Sequence, residues 1–134
     1  FLEDTALRDA SLARVAAEGA TFRGAMMHRV KFTAAMLPGV DLSKAVLHQA
    51  DLRGATLRHA MLIRADFTAA TMTHSDALGA LMSKAVLVGA DLTGANLFGA
   101  DLSRVRVDRR TRIDQANLGR ARVFPKRKDG GALG

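Results

Sequence analysis

An apolar residue, usually a large one, returns at every fifth position from Leu2 to Val107 without a slip. The stations run from Leu2, Leu7 and Leu12 through Phe22, Met27 and Phe32 to Leu97, Leu102 and Val107. Two positions before each stands a small residue, nearly always alanine, as at Ala45, Ala50, Ala55, Ala60, Ala65 and Ala70. Val15, Val30, Val40 and Val105 are larger variants, and Thr5 and Ser75 polar ones. Alanine and leucine favour helix, but the spacing rejects it. Five residues turn a helix by about 500°, so the stations would spread around the whole cylinder. A continuous strand also fails, because inward positions separated alternately by two and three residues break its alternation. What remains is a short extended piece and a turn, repeated. The small residue and the station point inward; the other three form the corner and the outer face. Four such sides close a square coil of twenty residues, and coils stack about 4.8 Å apart.

The mixture of tiny and large side chains suits a narrow lumen filled at native density. Glycine two places after the station, as at Gly19, Gly54 and Gly94, is expected to relax the corner backbone. Asp or Asn just before the station, as at Asp41, Asp51, Asp91 and Asn96, is expected to bond nearby turn amides. The segments Ala90-Asp91-Leu92-Thr93-Gly94, Ala95-Asn96-Leu97-Phe98-Gly99 and Ala100-Asp101-Leu102-Ser103-Arg104 resemble the consensus of the pentapeptide-repeat family. The resemblance implies an all-β fold, a right-handed quadrilateral β-helix of about six coils at twenty residues each.

Three stretches follow. Residues 1–107 form the in-register solenoid. After Val107 the register slips by one, with the extra residue expected within Asp108-Arg109-Arg110 as a bulge or wider corner, and residues 108–123 form a shifted final coil. Residues 124–134, opening with Phe124-Pro125 and carrying Lys126-Arg127-Lys128, read as a basic flexible tail. The chain begins in register at Phe1, and an open first coil exposes strand edges. The expectation is a C-terminal domain of a larger bacterial protein, its first coil covered from upstream. Similar domains end larger bacterial proteins, some associated with type VI secretion, and the resemblance implies such a setting.

Charge changes the picture. Residues 1–103 hold ten basic and ten acidic residues; residues 104–134 hold ten and three, which is the whole net charge of +7. The best-known pentapeptide-repeat proteins resemble duplex DNA in shape and negative charge and protect DNA gyrase from its inhibitors. Such mimicry needs acidic outer columns. Here the columns are mixed, and one is basic: Lys44, Arg64, Lys84 and Arg104 recur at twenty-residue spacing. A topoisomerase-protecting role is therefore disfavoured.

Chemistry is sparse. Without cysteine there is no disulfide, thiolate nucleophile or cysteine zinc site. His28 and His48 share an outer column but lack a third ligand in it, while His59 and His74 fall on other columns. No catalytic, cofactor or metal site is expected, and no stretch is long enough for an apolar membrane span. No signal peptide is visible, and the location expected is cytoplasmic. The outward apolar residues Met61, Ile63, Leu78, Leu81, Val86, Val88 and Phe98 form a candidate interface, with Met26, Met36 and Val46 as a weaker trail. The expected function is a non-catalytic scaffold that binds a protein partner, its own upstream domain or a second copy. The alternative is a nucleic-acid-associated module using the basic C-terminal segment.

Overall fold

The computed structural model of the protein describes residues 6–123. The phenylalanine, proline and lysines of the 124–134 tail lie outside them. Within them the backbone repeats one unit: a bridge residue, an inward station, two turn residues and a second inward residue. Every bridge is parallel, and from Ala6↔Met26 to Val86↔Arg106 every one joins residues twenty apart. Twenty residues thus make one four-sided coil, and the coils stack as a right-handed quadrilateral β-helix.

The unit is explained by where its five N–H groups go. In the side around Leu57, Thr56 donates back to Ala35 O (2.8 Å), while Leu57 and His59 donate forward to Asp76 O and Leu78 O (2.6 and 2.8 Å). Ala60 closes the corner by donating to Leu57 O (3.0 Å). The remaining N–H, on the residue after each station, has no backbone partner within this ladder. Where Asp or Asn precedes the station, it accepts that N–H instead. Asp51 takes Arg53 N (3.1 Å), Asp66 takes Thr68 N (3.0 Å), Asp91 takes Thr93 N (3.0 Å) and Asn96 takes Phe98 N (3.1 Å). The recurrence of Asp and Asn at that position is therefore a hydrogen-bond preference, which Thr56, Met61, Leu81 and Val86 do without.

The corners extend one expectation. The last turn residue has a positive φ at glycines such as Gly54 (67°), but also at Ala34 (54°), Lys44 (62°), Ala69 (58°) and Arg104 (58°). The corner imposes this conformation on whatever side chain occurs there, and glycine merely adopts it without strain. One corner departs. Pairing lengthens to twenty-one residues at Asp91↔Arg112, Asn96↔Asn117 and Asp101↔Arg122. Between Arg104 and Gln115 no residue has a positive φ. There the Asp108 carboxylate, in place of a backbone carbonyl, accepts Gly89 N (3.0 Å), and the buried Thr111 hydroxyl donates to Leu87 O (2.8 Å). Side chains thus carry the ladder across the extra residue.

The lumen is continuous from Phe22 to Val105, with Phe32, Phe67, Met27, Met72 and the leucines along its axis and the alanines beside them. Phe22 and Phe32 meet edge to face, 5.8 Å between centroids. Buried Ser75 replaces an alanine at no polar cost, since its hydroxyl donates to Met72 O (2.9 Å). At the two ends Leu7, Leu12, Ala17, Ile113, Leu118 and Val123 are only partly buried.

Candidate interaction surface

The seven outward apolar candidates divide over two adjacent sides. Met61 and Leu81 are bridge partners at the centre of one side, 38% and 42% exposed. Leu78 and Phe98 stand on the corner before it, Phe98 being 37% exposed, and half-buried Ile63 on the corner after it. Val86 occupies the centre of the next side between Asp66 and Arg106, and Val88 its far corner; both are half-buried. Met36 is more exposed than any of these (51%), but lies on a different side. Met26 and Val46 share the Val86 column and are half-buried. Phe98 is held in place from below: its ring lies over Gly119, and the Arg120 guanidinium sits 5.9 Å from the ring centroid.

Lys44, Arg64, Lys84 and Arg104 are exposed and lie on successive coils. Lys44 N donates to Ile63 O, Arg64 N to Ser83 O and Lys84 N to Ser103 O (2.8–3.0 Å). The four line the corner between the two sides just described. Among the described residues no carboxylate pairs with any of them. Some cations elsewhere are paired, Arg29 with Asp9 (2.6 Å), Arg53 with Asp51 (2.7 Å) and Arg110 with Asp108 (3.0 Å), while others, such as Lys31 and Arg106, have no such ion pair among the described residues. The candidate interface and the basic column are therefore neighbours, which column arithmetic alone leaves unstated.

The histidines separate into two kinds. The rings of His28 and His48 stack edge to face at 5.1 Å. His48 Nε2 also lies 2.7 Å from Asp66 Oδ2, a partner sequence reasoning missed because it comes from another column, at the centre of the same side one coil on. His59 and His74 lie over Gly79 and Gly94 on other columns. Among the described residues no three His, Cys, Asp or Glu side chains gather where they could hold a metal ion.

This arrangement sets an acid response. Burial, then the charges of Arg8 and His48, push the His28 imidazole below its ordinary value. The unfolded imidazole protonates near pH 6.5 while the folded one resists, so stability falls as pH drops through that point. The Arg53 side chain lowers the Asp51 carboxyl, and the Thr93 hydroxyl lowers that of Asp91. Their contribution is complete above about pH 4 and is lost below it. The melting temperature is expected to fall in two stages on acidification, and His28→Gln to remove the upper one. A single transition below pH 4 in the parent protein would refute the role of His28.

A family model, Pentapeptide repeats, matches eight copies over residues 2–37, 41–76 and 65–104. The chain belongs to the pentapeptide-repeat family. A pentapeptide repeat protein from the cyanobacterium Cyanothece 51142 is similar with a TM-score of 0.77 at 21% identity, over 84% of this chain and 90% of that one. A pentapeptide repeat protein of the Arabidopsis thaliana thylakoid lumen is 31% identical, with a TM-score of 0.62 over 83% of this chain and 74% of that one. QnrB1, a plasmid-mediated fluoroquinolone resistance protein, aligns over 92% of this chain and 91% of its own at 17% identity, but its TM-score of 0.29 carries no argument. No curated protein matches the chain. As a pentapeptide-repeat solenoid it has no helix among the described residues that is long and apolar enough to cross a membrane.

Proposed function

We propose that this domain is a non-catalytic protein-interaction scaffold whose working surface is the side carrying Met61, Leu81 and Phe98. One observation carries the reading: three large apolar side chains stand 37–42% exposed on one side and its corner, while the lumen beneath is fully packed. Leaving such surface in water costs about 25 cal/mol per Å², and contiguous exposed apolar groups mark interfaces. The partner is another protein or a further part of the same polypeptide, and a cytoplasmic setting belongs to the same reading.

A photo-cross-linking residue at Leu81, introduced into the protein in its native cells, is expected to trap a protein adduct. The same residue at Thr73, on another side, is expected to trap none. The double variant Leu81→Ser, Phe98→Ser should melt within about 2 °C of the parent, because exposed substitutions change stability little. Photo-cross-linking from Ile63 should then lose its adduct. Equal adducts from Leu81 and Thr73, or none from either, would refute the reading.

A second reading rests on the final coil. Residues 108–123 hold five arginines and two aspartates (5 − 2 = +3). Nucleic-acid binding through this coil would show a steep salt slope, with about one unit lost for each phosphate-contacting arginine removed.

A further inference from the structure

We propose that the Met61–Leu81 side and its basic corner form a docking face for an acidic amphipathic helix of a protein partner. This inference rests on the interaction reading above and adds the chemistry of what is bound.

The first argument is charge. Four cations stand in a row with no carboxylate of their own among the described residues. Electrostatic complementarity at an interface calls for anions opposite them. The second is length. Four rungs at about 4.8 Å span about 14 Å, which is about ten residues of helix at 1.5 Å each. Acidic residues three or four apart on a helix recur every 5–6 Å or so, and the flexible Lys and Arg stems absorb the difference. The third is the adjacent apolar strip. A helix laid along the solenoid axis beside this corner sets its apolar stripe on Met61 and Leu81, flanked by Ile63 and by Leu78 and Phe98.

Other occupants fit less well. A second copy turned about the solenoid axis sets the basic corner against the far corner of its twin, which offers Arg58, already 3.5 Å from Asp76, and His59. Turned about the perpendicular in-plane axis, it sets cations on cations. Neither sets an unpaired carboxylate opposite the cations. An anionic bilayer meets Asp41 and Asp101, which bracket Met61 and Leu81 in the same central column. Inserting that column would carry both carboxylates toward the acyl chains. A nucleic-acid duplex would lay phosphates over Met61 and Leu81, which have no donor to offer them.

The test is an NMR titration of the nitrogen-15-labelled protein with a designed helical peptide of about five turns. Leucines at the centre of one stripe face Met61 and Leu81, serines continue it past Asp41 and Asp101, and glutamates line the edge toward the basic corner. Amide shifts are expected at Met61, Leu81, Lys44, Arg64, Lys84 and Arg104. Exchanging the peptide's glutamates for glutamines, or introducing Lys84→Glu with Arg104→Glu, should weaken binding at least tenfold while the melting temperature holds. Parallel titrations use duplex DNA and vesicles of three parts phosphatidylcholine to one part phosphatidylglycerol. The proposal is overturned if the peptide does not bind, if its affinity survives the charge reversal, if the shifts fall on the final coil, or if DNA or vesicles bind more tightly. Should the peptide fail while Leu81 still traps its adduct, the interaction face stands and the acidic helix as its occupant is rejected.

Discussion

Ala60→Arg is expected to leave the chain without a cooperative melting transition. Ala60 has no exposed surface and points into the lumen between Leu57 and Leu62, with Val40 and Ala80 on the coils either side. No carboxylate reaches this space, and arginine stays ionised at any working pH. An unpaired buried charge costs far more than the 5–15 kcal/mol or so that holds a domain together. The chain can avoid the cost only by opening the coil. The control is Ala69→Arg. Ala69 is an exposed corner residue with φ of 58°, the conformation that Arg64 and Arg104 already adopt. That variant should melt within about 2 °C of the parent. Thermal melts followed by circular dichroism test both. A parent-like transition for Ala60→Arg would mean that the alanine column does not face the lumen.

Phe67→Ala is expected to cost about 3–5 kcal/mol, the range for truncating a buried aromatic. Phe67 has no exposed surface and fills the lumen in place of the usual leucine, in the same column as Leu47 and Leu87. Its neighbours hang from a backbone ladder bonded on both sides, so they cannot collapse into the void, and the cost lies toward the upper end. For a domain of this size that is a fall of roughly 10–25 °C in melting temperature. Phe98→Ala, at an outer corner, should cost no more than about 1 kcal/mol. Equal destabilisation by the two would contradict the inward and outward assignments.

The architecture was legible because the period is strict. A five-residue spacing is incompatible with both regular structures, and Leu, Phe or Met at each station declares the inward direction. The corner conformation was less legible. Ala34 and Ala69 hold a positive φ that nothing in their identity announces, since tertiary stacking imposes it. The candidate surface was legible column by column: adding twenty to Lys44 or Met61 finds the neighbour above. What joins the two columns is the order of sides around a corner. The His48–Asp66 contact shows the same limit, because eighteen residues is neither a side nor a coil. The partner is not legible from periodicity, because the period is set by the lumen and constrains the outer residues only at the capping position.

The twenty-residue pairing has a consequence for how such a chain tolerates insertion and deletion. Removing five residues restores the alternation of small and large inward residues, so the lumen stays filled. It also turns everything downstream by a quarter revolution, and Leu81 and Lys84 would no longer stand beside Met61 and Arg64. Removing twenty shortens the rod and returns every downstream side chain to its own face. Packing is therefore conserved modulo five and surface modulo twenty. The single extra residue between Arg106 and Arg112 obeys neither rule. It is harmless because Asp108 and Thr111 absorb it within one corner and pass the phase on unchanged. Lineages of this fold can change length in small steps while keeping their stability, yet each step short of a full coil deals out a new set of faces.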